Sequence, residues 1–461
     1  MLVFDIETNG LYDNVSKLYC MSIYDSDNDK MYSFNPDTVS DGVDMLIDAL
    51  DRGISICGHN VINYDIPVLE KLTDFKCPRD KRGLVIDTLV LSRLIYTHIE
   101  DWDRRLLKSG KLPSKLFKRH SLMAWGYRLG ELKGTYGQSE DAWDRYTPEM
   151  LKYNAQDVRV TYKLYEKLTS YPYSPKAIKL EHEVAWLMSK QEKNGFPFDI
   201  DKAQKLEAVL RCRSGEIQAQ LLQVVPQMPY KIFVPKKDNK AKGYKKGVPI
   251  QRYKAFNPNS RQQIEQLIRE HFKYSPSNSD CYAIKEDVDG ITDFSEYRLK
   301  VDETSIDYME HDAAASDELK KVLSLIQEYL LLNKRLGQLA DGKNAWLSMV
   351  GADNRMHGSV IPNGAISGRA THNHPNVAQV PHIGSPYGKE CRELFNSGDW
   401  YQVGIDACGL ELRCLAHFMA KWDGGAYAHE ILTGDIHTKN QQAAGLPTRN
   451  QGKTFIYAFL M

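Results

Sequence analysis

The first apolar segment restricts the fold most, because it carries two carboxylates on one side. FDIET places Asp5 and Glu7 two residues apart in a run that predicts a β-strand. Side chains at i and i+2 of a strand point to the same face. Neighbouring carboxylates repel each other unless a positive group lies between them, and a divalent cation is the usual partner. Taken alone, such a pair is more often solvated surface, so the assignment depends on what else the chain brings to it.

The segments around this strand alternate between strand and helix patterns, which predicts an α/β fold over residues 1–170. LVFDIE, LYCMSIYD and SICGHN favour strands, whereas IDTLVLSRLIY and EMLKYNAQDVRVTYKLYEKL favour helices by the spacing of their apolar residues. SYPYSPKA, at 170–177, has the prolines and small residues of a linker.

The rest of the chain divides into a helical part and a mixed part. Residues 178–345 include two predicted helices, KLEHEVAWLMSKQEKNG, which ends at Gly195, and SDELKKVLSLIQEYLLLNKRLG, which ends near Gly337. Residues 346–461 contain strand-like YQVGIDAC followed by helical segments. The length suggests about three domains.

The overall charge does not indicate whether this protein binds nucleic acid, because local charged patches decide that. The 461 residues include 60 Lys+Arg and 60 Asp+Glu, so the formal net charge is zero. No stretch approaches the ~20 apolar residues of a membrane span, and MLVFDIETNG lacks a signal-peptide pattern, so we expect no membrane partner. The eight cysteines form no C-x-x-C pair, which argues against zinc and against a secreted disulfide framework.

Two further segments supply carboxylates in an order that suits a metal site. GHNVINYDIPVLEKL places Asp65 just before a helix-like run, where it could equally be a simple N-cap. YNAQD places Tyr153 and Asp157 four residues apart on one helix face, where the tyrosine could equally pack beside a surface aspartate. Four carboxylates and a phenol are about what two hard metal ions need for phosphodiester hydrolysis. Tyr153 could orient the attacking water.

This set of residues resembles the proofreading 3′→5′ exonucleases that use four acids and a tyrosine. The resemblance implies a ribonuclease-H-like exonuclease domain over residues 1–172, with Tyr153 beside two ions of Mg²⁺ or Mn²⁺. It carries four residues over as metal ligands: Asp5, Glu7, Asp65 and Asp157. Asp87 in IDTLVLSRL also lies in a segment that resembles the family, and we interpret it as structural. His120 and Trp125 are interpreted as packing residues or contacts to a DNA strand.

Later motifs extend the resemblance to nearly the whole chain. NGAISGRATH, GIDACGLELRCLAHF, GDIHTKN and TRNQGKTFIY resemble the bacterial Pol I-type, or family A, DNA polymerases, in particular the replicative polymerases of T-seven-type short-tailed phages. The resemblance implies a linker and helical thumb region over 173–345 and the first part of a right-hand palm and fingers over 346–461. It also implies primer–template DNA, single-stranded DNA and dNTPs as partners, and the cytoplasm of an infected host cell as the location.

The same resemblance assigns polymerase roles. Arg449, Lys453 and Tyr457 recur at intervals of four and therefore share one helix face; cations on such a face neutralise phosphates, although on an unrelated helix they would more often be solvated. The implied roles are metal binding by Asp406 and the Ala407 carbonyl, closure of the sugar pocket by Glu411, a minor-groove contact by Arg369, a grip on the triphosphate by His437, Arg449 and Lys453, and stacking near the new base pair by Tyr457.

Two departures from the family pattern change the expected partners. The family's second metal-binding carboxylate, from a His-Asp-Glu-type hairpin, does not occur before Met461, so we expect nucleotide addition to need a second polypeptide. VPKKDNKAKGYKKG resembles the thumb insertion that binds thioredoxin but is much shorter, which argues against a thioredoxin partner. Its cations either form a solvated loop or contact DNA: Lys236, Lys237, Lys245 and Lys246.

Two alternatives stay open at this point. One is a stand-alone 3′→5′ exonuclease whose C-terminal region binds DNA, and the other is a non-enzymatic DNA-binding or assembly subunit. Metal-dependent nuclease activity on single strands would exclude the second alternative. Restoration of synthesis by a second chain would exclude the first.

Overall fold

The structure is a computed structural model that describes residues 1–132, 134, 136–138, 142–225, 227–284, 294 and 296–460, with only the backbone of residue 460. The chain forms two compact units, Met1–Asn396 and Ser397–Met461. Met461, the last residue of the sequence, lies outside the described residues. Among the described helices, none has the length and apolar content needed to cross a membrane. The predicted domain boundaries near 172 and 345 stay predictions.

The first unit begins with a five-stranded mixed sheet, in the order β3-β2-β1-β4-β5. The central strand β1 pairs antiparallel with β2 and parallel with β4. All three strands that the sequence predicted within residues 1–170 are present. The strands of this sheet are β1 Leu2–Thr8, β2 Leu18–Asp25, β3 Lys30–Phe34, β4 Ile56–Gly58 and β5 Val85–Asp87.

Helices cover both faces of this sheet. They are α1 Val39–Asp51, α2 Asp65–Leu72, α3 Thr88–Ile95, α4 Ile99–Lys108, α5 Leu122–Leu129 and α6 Pro148–Thr169. Phe4 and Ile6 of β1 are buried in the core shared with α1 and α2, whereas Val3 packs against Val158 of α6. Because side chains alternate along a strand, Asp5 and Glu7 lie on the α6 side with Val3.

The remainder of the first unit is mostly helical. Its helices are α7 Pro175–Asn194, α8 Ile200–Val224, α9 Arg261–Gln266, α10 Glu303–His311, α11 Asp317–Leu336, α12 Trp346–Met349 and α13 Gly388–Glu393, with wider turns extending α9 through Leu267–His271 and α11 through Gly337–Asp341. The predicted end at Gly195 agrees with these bounds. Regular α-helix in α11 also stops just before Gly337, but the wider turn carries the chain on helically to Asp341. Leu323 and Ile326 of α11 pack with Leu210 and Leu221 of α8 in one core.

Three short strand pairs complete this unit. Their strands are β6 Phe196–Pro197, β7 Met228–Phe233, β8 Ile250–Lys254, β9 Arg355–Met356, β10 Ser359–Ile361 and β11 Thr371–Asn373. β7 and β8 form an antiparallel hairpin between α8 and α9. The Lys-rich stretch forms the exposed loop of this hairpin. We call the whole hairpin, residues 228–254, the lysine hairpin.

The described residues of the second unit form four helices, α14 Leu410–Asp423, α15 Ala426–Thr433, α16 Ile436–Ala443 and α17 Arg449–Leu460. The prediction of a strand over YQVGIDAC was wrong: this segment forms no strand, and Tyr401, Val403 and Ile405 are largely exposed. The alternating pattern is present, but a strand needs a neighbour for its backbone N–H and C=O groups, and the described residues supply none here.

Candidate functional site

Three of the four predicted acids meet at the carboxyl end of β1. Asp5, Glu7 and Asp157 place carboxylate oxygens within 4.8 Å of one another. The two elements that carry them pack face to face, since α6 lies on the side of β1 to which Asp5 and Glu7 point. Asp157 is buried and the other two are half-buried, so the acidic cluster opens to solvent on its strand side.

Asp65, the fourth acid, reaches the same strand from another direction. It is the first residue of α2 and Tyr64 is the N-cap residue, so the interpretation of Asp65 as a simple N-cap was wrong. Its buried carboxylate lies against the backbone N–H of Ile6. That edge of β1 is open because the pairing with β4 ends at Val3. The pKa of Asp65 is raised to about 7, mainly by burial and also by the charge of Asp87, while the backbone N–H groups of Asp65 and Ile6 oppose the shift.

Gly58 allows the chain to turn sharply where it leaves β4. A Cβ on Gly58, the last residue of β4, would lie 2.1 Å from Cγ1 of Val61 and 2.9 Å from the carbonyl oxygen of Phe4. No side chain fits at these distances. Gly58 therefore lets the loop that leads to Asp65 turn tightly against β1.

Asp87 holds that loop in place through backbone hydrogen bonds, which agrees with its interpretation as a structural residue. Its backbone N–H donates to Nε2 of His182, 3.0 Å away. Its buried carboxylate caps α3 and also binds the loop. It accepts hydrogen bonds from four backbone N–H groups, those of Asn60 (3.0 Å), Ile62 (3.1 Å), Leu89 (2.9 Å) and Val90 (3.4 Å).

Tyr153 is held by aromatic neighbours. Its ring centroid lies 5.9 Å from that of Tyr136 and 6.3 Å from that of Trp143, and its hydroxyl lies 3.7 Å from the position of a Cβ on Gly137. One turn of α6 separates Tyr153 from Asp157, so both project from the same helix face. The aromatic contacts therefore restrict the orientation of the Tyr153 ring.

Two residues at the site were missed by sequence reasoning. Asn154 is fully buried and its Nδ2 donates to Oδ2 of Asp5 at 2.7 Å. The hydroxyl of Tyr64 donates to the carbonyl oxygen of Gly10 at 2.6 Å and also contacts Oγ1 of Thr8. Tyr64 had no sequence signal beyond its place beside Asp65. Asn154 lies inside the Tyr-x-x-x-Asp motif, but nothing in that motif indicates the depth of its side chain.

A basic cleft of about 340 Å³ lies in the same unit, between residues 93–120 and residues 361–366. Its polar lining includes Arg93, Lys118, Arg119, His120 and Asn363, together with Glu100, which forms an ion pair with Lys118. Burial lowers the pKa of His120 to about 4, with the charges of Arg93 and Arg128 acting in the same direction. Trp125 beside it is fully buried, so of the two residues His120 is the one at a surface that a strand could reach.

The second unit gathers most of the predicted nucleotide residues. The rings of His437 and Tyr457 lie 6.3 Å apart. Burial lowers the pKa of His437, and the nearby charges of Arg449 and Lys453 lower it further. Burial raises the pKa of Tyr457, and the charge of Glu411 raises it further. Lys453 and Tyr457 line one open cavity of about 550 Å³.

The other predicted polymerase residues are exposed. Asp406 and Ala407 lie in the extended segment before α14. The three-acid cluster is formed by Asp5, Glu7 and Asp157, and within the described ranges no comparable cluster includes Asp406. Arg369, in the first unit, is exposed, and its backbone carbonyl oxygen accepts a hydrogen bond from the N–H of Ala365 at 3.0 Å.

Known protein families match both the N-terminal sheet domain and the C-terminal part of this chain. The sequence profile described as RNase H superfamily matches residues 2–169, and that described as DNA polymerase family A matches residues 238–460. The DNA-directed DNA polymerases of Enterobacteria phage T3 and Escherichia phage T7 are each 40% identical to this chain, over 100% of it and 75% of their own length.

A solved structure shares the fold. The POL domain of Pol1 from M. smegmatis, in complex with DNA primer–template and dNTP, superposes with a TM-score of 0.64 over 99% of this chain and 67% of that one. Only 14% of the residues are identical, so this likeness concerns the fold alone.

Proposed function

This chain belongs to DNA polymerase family A, and we propose that it is a phage DNA-directed DNA polymerase whose residues 1–172 form a metal-dependent 3′→5′ exonuclease. The main observation in favour of the exonuclease is that Asp5, Glu7 and Asp157 bring their carboxylate oxygens within 4.8 Å of one another. The test is incubation of a 5′-labelled single strand with the full chain in Mg²⁺, in Mn²⁺ and in EDTA. Stepwise shortening from the 3′ end that requires the metal supports the proposal; no shortening in either metal contradicts it.

The donor set of the cluster fits hard divalent cations. All of its ligand atoms are carboxylate oxygens, which Mg²⁺ and Mn²⁺ prefer over softer ligands. The residues that would hold two such ions are Asp5, Glu7, Asp65 and Asp157. When bound, the ions supply a water of lowered pKa and stabilise the departing 3′ oxygen.

The chain's own residues position the reactants. Tyr153 would direct its hydroxyl toward the attacking water, supported by the packing of its ring against Tyr136 and Trp143. Asp65 is held by the loop that Asp87 ties down, so it meets β1 at a defined depth. Fixed groups of this kind contribute by orientation, because little reorganisation is then needed during the reaction.

Nucleotide addition is proposed for the second unit. His437, Lys453 and Tyr457 lie close together there, which supports a common site for the triphosphate and the new base pair. Asp406 with the Ala407 carbonyl would hold the catalytic ions, Arg449 would join the grip on the phosphates, and Glu411 would close the sugar pocket beside Tyr457. Phosphoryl transfer depends mainly on such positioning and on charge stabilisation.

DNA contacts are proposed at three places in the first unit. Arg369 would reach the minor groove at the primer end. The basic cleft would lead a single strand toward the acidic cluster, since its cations suit phosphates. The lysine hairpin would contact duplex phosphates through four exposed cations: Lys236, Lys237, Lys245 and Lys246.

A second polypeptide stays a prediction. The feature that favours it is the exposed apolar segment at Tyr401, Val403 and Ile405, whose strand pattern finds no partner among the described residues. Thioredoxin is predicted to bind weakly or not at all, because the lysine hairpin is short; a nanomolar complex in a titration would contradict this. We propose the cytoplasm of the infected host as the location, since the relatives at 40% identity are phage proteins.

A further inference from the structure

The acidic cluster contains a fully buried neutral residue that donates to one of its carboxylates. Asn154 lies on α6, one turn before Asp157, and its Nδ2 is 2.7 Å from Oδ2 of Asp5. The two residues are 149 positions apart in sequence. This hydrogen bond therefore ties the helix that carries one acid to the strand that carries two others.

The direction of this hydrogen bond follows from the chemistry of the two groups. An ionised carboxylate only accepts, so the amide must present its NH₂ side to Asp5. The amide oxygen, Oδ1, has no hydrogen-bond partner among the described residues. The NH₂ group of this buried amide is hydrogen-bonded, whereas its oxygen is not. The side chain is therefore oriented by its interaction with Asp5 rather than by general packing.

The cluster needs such a donor because its members repel one another. Asp5 and Glu7 stand on β1 and Asp157 on α6, with oxygens within 4.8 Å. Like charges at this distance push the strand and the helix apart and favour rotation of the carboxylates away from one another. A short N–H donor from α6 to β1 opposes both movements.

We propose that Asn154 is a positioning residue of the exonuclease: it fixes the carboxylate of Asp5 before a divalent cation binds. The inference rests on the proposed metal-dependent function of the cluster. Hydrogen bonds to ligating carboxylates orient them, and their loss typically costs about 10–100-fold in metal affinity or activity. A donor that prepares Asp5 therefore acts on metal affinity more than on the reaction of the loaded enzyme.

The test compares Mn²⁺ binding to the full chain by titration calorimetry or electron paramagnetic resonance. Asn154→Leu removes the donor while keeping the number and branching of the side-chain heavy atoms, and Asn154→Ala removes the donor and leaves a smaller side chain. Thr161→Val is the matched control, because Thr161 is buried on the same helix and its hydroxyl has no hydrogen-bond partner among the described residues. Asp5→Ala with Glu7→Ala defines the binding that belongs to the cluster.

We expect both Asn154 variants to bind Mn²⁺ about 10–100-fold more weakly, and the control to match the wild type. Saturating Mn²⁺ should restore most of the digestion rate of Asn154→Leu, which a purely structural defect would not allow. Equal Mn²⁺ affinity in wild type and both variants would overturn the inference, as would unfolding of both variants while the control folds. Absence of cluster-dependent Mn²⁺ binding in the wild type would instead overturn the proposed exonuclease itself.

Discussion

Arg449 and Asp435 form a two-pronged ion pair that joins the starts of α17 and α16. Nε of Arg449 lies 2.7 Å from Oδ2 of Asp435, and Nη2 lies 3.0 Å from Oδ1. Asp435 also caps α16 through the N–H of His437. The residue proposed to grip a triphosphate is thus already oriented by a carboxylate, in the fork geometry that arginine would also offer to a phosphate.

This ion pair predicts a pH-dependent stability of the two helices. The hydrogen bond from Arg449 holds the pKa of Asp435 well below its ordinary range, and that from Thr438 adds to the effect. Because the folded-state pKa is depressed, the stabilisation is present above the ordinary carboxyl pKa of about 3.9 and is lost as the pH falls below it. Asp435→Asn should therefore increase amide exchange in α16 and α17 at pH 7, with a smaller difference from wild type near pH 3.

Salt provides a second check on the same pair. Both side chains are about half exposed, at 50% and 46%, so 1 M NaCl should reduce the effect of Asp435→Asn by screening. Asp399→Asn, which changes an exposed charge in the same unit, should leave the exchange of α17 unchanged at either pH. An effect of Asp435→Asn that is equal at pH 7 and pH 3 would show that the cap, rather than the ion pair, matters.

Replacing Asp5 and Glu7 together with alanine should remove the exonuclease. The pair supplies two of the three carboxylates of the cluster, and losing ligands should cost more than the ~10–100-fold typical of their hydrogen-bonded neighbours. The measurement is digestion of a 5′-labelled single strand by the purified full chain. Full activity in the double variant would show that the acidic cluster is not the active site.

Gly58→Ala should displace the loop that carries Asp65. The added Cβ would lie 2.1 Å from Val61, and such overpacking typically costs ~1–3 kcal/mol of stability. A shift of about 1 Å in Asp65 can cost ~10²-fold in rate. Gly83→Ala is the control, because its Cβ would meet nothing within 4 Å. If a folded Gly58→Ala variant digested DNA at the wild-type rate, the position of Asp65 would not matter for the reaction.

Neutralising the lysine hairpin should weaken binding to primer–template DNA and reduce its salt dependence. Removing one phosphate neutralisation lowers the log–log slope by ~0.9 for duplex and ~0.7 for single strands. The variant replaces four exposed lysines with glutamine: Lys236, Lys237, Lys245 and Lys246. The control replaces four exposed lysines elsewhere: Lys30, Lys76, Lys108 and Lys152. An unchanged slope for the hairpin variant would show that these lysines do not contact DNA phosphates and that the loop is simply solvated.

The 461-residue chain by itself should incorporate no nucleotides on a primed template. Two ions need bridging carboxylates, and within the described residues Asp406 has no acidic cluster around it. A second polypeptide that supplies them should restore synthesis. In that complex Asp406→Ala should abolish synthesis and spare the exonuclease, whereas Lys453→Ala should mainly raise the nucleotide requirement. Robust synthesis by the pure chain, with no partner detected by mass spectrometry, would contradict this prediction.

Local patterns in the sequence determined a large part of this protein. The alternation in LVFDIET was enough to place Asp5 and Glu7 on one face of a strand, because side-chain direction in a strand depends only on parity. The spacing of apolar residues predicted α6, α7 and α11, and the glycines near two of their ends agree with the structure. The motifs also indicated family A, which the comparisons confirmed.

Tertiary structure alone decided which distant residues meet. Asn154 finds Asp5 across 149 positions because α6 packs on the open face of β1, and Asp65 meets Ile6 because β4 ends early. Such encounters depend on loop closure and on the pairing of elements, which no local period encodes. The segment YQVGIDAC shows the same limit from the other side: its alternation predicts a strand, but a strand forms only where a neighbour accepts its hydrogen bonds.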